Sequence, residues 1–149
     1  PERNSNLYAY KPLQHRHAPE ISGLTEIASG RRTTLNFVPH SGPFARGIHV
    51  TLQAKAKTSV TEAELFDVFN DAYKGAPFVE LVNGTPRLKN VVASNLCQIG
   101  LATDGVTVVV MCVIDNLVKG AAGGAVQWMN RLWDLPEAAG LTAAAPGWT

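Results

Sequence analysis

Two hydrophobic periods alternate along the chain, and their order sketches a layered fold. Ile21, Leu24, Ile27 and Ala28 recur at helical spacing. They follow Pro19, which suits a first helical turn because its missing N–H is not needed there. Gly30 ends that helix. Leu35 and Phe37 alternate with Thr34 and Asn36, which predicts a strand over 33–39. Residues 40–46 read as a loop around Gly42 and Pro43. Over 47–57, Ile48, Val50, Leu52, Ala54 and Ala56 alternate with His49, Thr51, Gln53 and Lys55. That is a long strand with one buried and one wet face, as in an antiparallel sheet.

Thr61-Glu62-Ala63-Glu64 is a capping box, and it opens a helix to about Lys74 with Leu65, Phe66, Phe69, Ala72 and Tyr73 apolar. Residues 78–82 make a short strand, followed by the turn signal Asn83-Gly84. Apolar runs over 91–100 and 106–114 predict two further strands. Thr103-Asp104-Gly105 between them reads as a hairpin turn. The last helix spans about 115–133 and is capped by Asp115 or Asn116. Pro136 and Gly140 lie past its end. The order is helix, two strands, helix, three strands, helix. It predicts an α+β domain with a mainly antiparallel or mixed sheet covered by helices. No GxGxxG follows a strand and there is no P-loop, so this is not a doubly wound nucleotide domain.

The bulk numbers narrow the class. The 149 residues suit one domain, and 46% apolar with 17% charged residues is an ordinary globular composition. The net charge of +1 and a pI near 8.3, without a basic run or stripe, argue against nucleic acid. The apolar stretches are strand-length and broken by polar residues, so no membrane span is expected. The chain opens Pro1-Glu2-Arg3-Asn4-Ser5-Asn6, without Met or a signal-peptide pattern. It reads as a connecting segment that continues from sequence upstream. The tail over 143–149 reads as loose. Cys97 and Cys112 lie in apolar runs and read as reduced core residues.

Three segments could carry chemistry. In His15-Arg16-His17 followed by Glu20, alternate residues of an extended backbone face one way, and Glu20 lies one helical turn on. A carboxylate-held histidine is a general acid or base near neutral pH. The plainer reading is a solvated basic turn, and a zinc site is a third, though no further ligand cluster accompanies it. In the loop over 40–47, Arg46 could grip a carboxylate or phosphate bidentately, or be an ordinary surface arginine at a strand start. In Asn116-Leu117-Val118-Lys119-Gly120-Ala121-Ala122-Gly123-Gly124, each helical glycine costs roughly 1 kcal/mol relative to alanine. Either a flat ligand or tight helix packing would account for them. The helix start with Lys119 nearby also favours an anion.

Taken together, His15-Arg16-His17-Ala18-Pro19-Glu20-Ile21, Pro43-Phe44-Ala45-Arg46-Gly47-Ile48, Asp115-Asn116-Leu117-Val118-Lys119-Gly120-Ala121-Ala122-Gly123 and Leu135-Pro136-Glu137-Ala138-Ala139-Gly140-Leu141 resemble, in order and spacing, the N-acetyl-gamma-glutamyl-phosphate reductases. The resemblance covers nearly the whole chain. It implies the C-terminal substrate-binding and dimerisation part of an enzyme whose fold is like that of glyceraldehyde-3-phosphate dehydrogenase. The final helix would return to a Rossmann domain that is absent from this chain. The implied reaction is cytoplasmic and belongs to arginine synthesis. N-acetylglutamyl phosphate is reduced by NADPH to the semialdehyde, with release of phosphate.

A cysteine in a Gly-Cys-Tyr/Phe-Pro-Thr pattern attacks the acyl phosphate in this family. Neither Cys97 nor Cys112 matches that pattern, so the chain alone is expected to be inactive. The resemblance implies a histidine that handles protons; the residues offer His17 or His15, with His17 taken as the acid/base and Glu20 as its orienting carboxylate. His15, Tyr10 and Arg46 become substrate contacts, Asn116, Lys119 and Gly120 contacts to NADP, and no metal is called for. A homo-oligomer, dimer or tetramer, is expected. Within enzymes the rivals are a sister reductase of lysine synthesis and an enzyme like aspartate-semialdehyde dehydrogenase. Outside them the rival is a non-catalytic oligomerisation module.

Overall fold

The computed structural model describes residues 5–147, so Pro1 to Asn4 of the expected connecting segment, and Trp148 and Thr149 of the tail, lie outside the described residues. The chain divides into two compact units, Pro1–Phe44 and Ala45–Thr149.

The first unit holds a short antiparallel pair, β1 (Tyr8–Ala9) and β2 (His40–Ser41), and the helix α1 (His17–Ser29). Pro19 falls in the first turn of α1, and Gly30 closes the helix in the left-handed conformation at φ 66°. The predicted strand over 33–39 does not form, and the ladder shifts to His40–Ser41. The facing segment explains this. Lys11 and Leu13 adopt positive φ, and Pro12 has no N–H to give. Only isolated bonds remain, Tyr10 N–H to Pro39 O at 3.0 Å and Leu13 N–H to Phe37 O at 2.9 Å. The expected apolar face of α1 is present in sequence but covered by nothing within its unit. Leu24 is 61% and Ile27 82% exposed.

The second unit is a four-stranded mixed sheet in the order β3-β6-β5-β4, with β3 (Ile48–Lys55), β4 (Val79–Val82), β5 (Cys97–Thr103) and β6 (Thr107–Ile114). β5 and β6 form the predicted hairpin. Gly105 takes φ 92°, and Asp104 Oδ1 accepts the Val106 and Thr107 N–H groups at 2.9 and 2.6 Å. β4 runs parallel to β5, so Asn83-Gly84 turns the chain into a crossover rather than a hairpin.

The helix α2 (Glu62–Ala72) starts on the capping box. Thr61 and Glu64 exchange side-chain and backbone bonds. Its Leu65 joins Ile99 and Leu101 as the core, flanked by Val79, Leu81, Val108 and Val110. α2 lies over β5 and β4. At the other edge, every residue of β3 is exposed, Ile48, Val50 and Leu52 included, so neither face of that strand is buried as expected.

Residues 91–96 are not strand. They form a buried loop after a 3₁₀ turn, Leu88–Asn90, with Ala93 at φ 61°. The last helix is also less regular than its pattern. A π-helical turn, Val118–Ala122, leads into α3 (Gly123–Leu132). Asp115 caps the start, its Oδ1 accepting the Leu117 and Val118 N–H groups at 2.8 Å each. Two of the glycines are explained by packing. A Cβ on Gly123 would come within 2.5 Å of Asn95 Oδ1, and one on Gly124 within 2.7 Å of Lys119 O.

Candidate functional site

The expected site residues fall into two groups, one in each unit. In the first unit, rings gather at the entry to α1. Arg16 at the helix start makes no side-chain cap, and its neighbour substitutes for one. His15 Nδ1 accepts the His17 N–H at 3.3 Å, satisfying a donor that the first turn leaves free. The same bond fixes a tautomer. With Nδ1 as acceptor, a neutral His15 carries its proton on Nε2 and presents a donor there.

The His15 ring packs edge-on against Tyr10 at 5.4 Å, edge-on against His17 at 4.7 Å and tilted against Phe37 at 5.3 Å. Partial burial, then the nearby His17, Arg16 and Lys11, hold its pKa below the ordinary value. The His17 ring is exposed at the first residue of α1. The structure thus brings together His15, His17 and Tyr10. It does not bring Glu20 to either ring. Among the described residues the Glu20 side chain makes no hydrogen bond or ion pair, and the imidazoles contact one another, Tyr10 and Phe37.

The second unit holds Arg46, Asn116, Lys119 and Gly120. Arg46 is neither free nor an ordinary surface arginine. Its Nη2 donates to Asp115 Oδ1 at 3.0 Å, and its Nε lies 2.6 Å from Oδ2. Asp115 is 0% exposed and also takes the Ala93 N–H at 2.7 Å. Burial pushes the carboxyl upward. The Arg46 bond and the N–H groups of Ala93, Val118 and Leu117 outweigh it and bring the pKa to about 2. One carboxylate therefore ties together the start of β3, the loop over 91–96 and the start of the last helix.

Asn116 Oδ1 accepts the Gly47 N–H at 2.6 Å, which leaves its amide N–H₂ for an outside acceptor. Lys119 turns inward. Its Nζ donates to Gln127 Oε1 at 2.6 Å and sits 5.6 Å over the Phe78 ring. Gln127 passes the chain on to Glu137 Oε1 at 2.6 Å and receives Asn95 Nδ2 at 3.0 Å. Gly120 is exposed, and a Cβ there would make only ordinary contacts. Internal packing therefore does not require a glycine at 120, as it does at 123.

Asp115, Asn95 and Gln127 were missed as partners in sequence. The available signal was an acid directly after the apolar run over 108–114. Among the described residues no group of three or more His, Cys, Asp or Glu could hold a metal ion. Nor is any helix there long and apolar enough to cross a membrane.

The family model of the semialdehyde dehydrogenase dimerisation domain matches residues 1–116. The chain is similar to N-acetyl-gamma-glutamyl-phosphate reductases of Symbiobacterium thermophilum (45% identity, 97% of this chain and 43% of the relative), Shouchella clausii (45%, 95% and 42%) and Brevibacillus brevis (40%, 94% and 42%). It thus spans about two fifths of the length of these curated relatives. In fold it is similar to aspartate semialdehyde dehydrogenase II from Vibrio cholerae (TM-score 0.65, 18% identity, 80% of this chain and 37% of that one). The aspartate semialdehyde dehydrogenase from Francisella tularensis is similar too (TM-score 0.65, 14%, 86% and 39%).

Proposed function

The chain belongs to the semialdehyde dehydrogenase dimerisation-domain family, and on that premise we propose that it is the C-terminal part of an N-acetyl-gamma-glutamyl-phosphate reductase of arginine synthesis. The observation that carries this reading is 40–45% identity to reductases of that name over nearly all of the chain. The likeness to aspartate semialdehyde dehydrogenases, at 14–18% identity, speaks for the fold alone.

In this reading a cysteine outside the present stretch forms a thioester from N-acetylglutamyl phosphate, phosphate leaves, and NADPH supplies the hydride that yields the semialdehyde. His17, exposed beside the ring cluster, takes the proton from that thiol and later protonates the oxyanion that hydride transfer leaves on the substrate carbon. His15, whose Nδ1 is taken by the His17 N–H, donates to the substrate from Nε2, and Tyr10, edge-on to its ring, contacts the same substrate. Arg46 acts through Asp115 as a positioning residue more readily than as a substrate clamp, since two of its nitrogens are engaged.

The residues fit a nicotinamide end in part. The unused amide N–H₂ of Asn116 suits a carboxamide oxygen, and the open surface at Gly120 admits a flat ring. Lys119, engaged with Gln127, reaches it least readily. The remainder of the cofactor site falls to a Rossmann domain, to which the last helix returns. The family is a dimerisation domain, and the exposed β3 offers a second copy of the chain both a strand surface and an edge, for a dimer or tetramer in the cytoplasm.

The test is phosphate-dependent oxidation of N-acetylglutamate semialdehyde with NADP. The complete enzyme should turn over and the 149-residue chain alone should not. A complete enzyme inert toward this substrate, or a chain active by itself, would overturn the proposal.

A further inference from the structure

Two sulfurs that this reaction does not use lie side by side on the sheet. Cys97 opens β5 and Cys112 lies near the end of β6. The register sets Ile99 opposite Cys112 and Cys97 opposite Ile114, so the cysteines are diagonal neighbours on one face. Both are free and half-buried, and their Sγ atoms stand 3.4 Å apart.

Their surroundings are unequal. The hydrogen bond with Cys112, aided by the Lys119 ammonium, holds the Cys97 thiol below its usual range against the opposing effect of burial. The same contact, together with burial, pushes the Cys112 thiol up. Either sulfur can donate across this contact, and the Lys119 ammonium favours Cys97 as the one that carries the negative charge. This differs from two inert core thiols, which is how apolar flanks alone present them.

We propose that Cys97 and Cys112 form a redox-active dithiol, a modification site that a hydroperoxide converts to a reversible intramolecular disulfide. The Cys97 thiolate attacks the O–O bond and becomes a sulfenic acid, and the leaving oxygen takes a proton as water or alcohol. The Cys112 sulfur then attacks Cys97 sulfur, and its proton departs with the hydroxyl as water. Two electrons pass from the sulfurs to the hydroperoxide. Diagonal residues sit roughly 7–8 Å apart, wider than the ~5.5–6 Å that a disulfide prefers. Closure must shift the backbone of β5 against that of β6, and a bond made under such strain is readily reduced. That suits a switch rather than a permanent staple.

The test is to treat the purified protein with stoichiometric hydrogen peroxide and map its peptides by mass spectrometry, with and without dithiothreitol. The expected result is a Cys97–Cys112 cross-linked peptide that dithiothreitol reverses. In addition, iodoacetamide at neutral pH should label Cys97 at least ~10-fold faster than Cys112. In Cys112→Ser, dimedone should trap a sulfenic acid at Cys97. No cross-link in the unmodified protein, or equal labelling of both thiols, would overturn the proposal, and neither readout needs a variant to fold.

Discussion

The two regions that carry the expected site residues are built in opposite ways. Around Asp115, the carboxylate is fully buried, and Arg46, Ala93, Leu117 and Val118 all donate to it. Around His15 and His17, the polar atoms are nearly all open, and ring faces rather than hydrogen bonds hold the arrangement. The contrast separates support from chemistry. A buried charge that already accepts four hydrogen bonds has little capacity left for a substrate, and losing a partner is costly. An exposed imidazole beside a ring stack can move protons and needs little from the fold. Arg46 and His17 looked equally promising as isolated residues, and only their partners tell them apart.

The contrast can be broken most forcefully at the clamp. Asp115→Ala should strand the Arg46 guanidinium and the N–H groups of Ala93, Leu117 and Val118, costing about 3–5 kcal/mol. Urea unfolding measures it, and a loss below about 1 kcal/mol would mean that the clamp is not what holds this region.

The next effect is set by acid. Asp115 has a folded pKa of about 2, below its ordinary 3.8. A depressed carboxyl contributes its stability above the unfolded value and loses it as pH falls through the folded one. About 2 kcal/mol should therefore disappear between pH 4 and pH 2, both bounds set by those pKa values. Asp115→Ala should lack that part of the acid dependence.

The smallest effect belongs to the first unit. Ile27→Ser, on a residue 82% exposed, should change the stability of the chain by no more than about 0.5 kcal/mol. A larger loss would show that the bare face of α1 is covered in solution.

The same division decides what could be read from sequence. The capping box at Thr61 and Glu64, the turn at Asp104 and Gly105, and the stop at Gly30 were all legible, because each closes its bonds within three or four residues. The apolar run over 91–96 looked like strand. Its conformation depends on Asp115, whose carboxylate takes the Ala93 N–H from 22 residues away. Arg46 meets its partner across 69 positions, and no local pattern carries that information. Glu20 shows the converse, since closeness in sequence does not oblige two side chains to meet. The glycines were noticed as a group, yet only the backbone shows that 123 and 124 answer to packing while 120 does not.

The central claim is that the open histidine pair, rather than the buried clamp, carries the proton chemistry. The most direct test is steady-state kinetics of the complete enzyme bearing His17→Asn, with His15→Asn beside it. His17→Asn should lower kcat by about 10²–10⁴-fold with a smaller change in KM, as expected for loss of a general acid–base. His15→Asn should act mainly on KM. A His17→Asn enzyme that keeps its kcat would contradict the account.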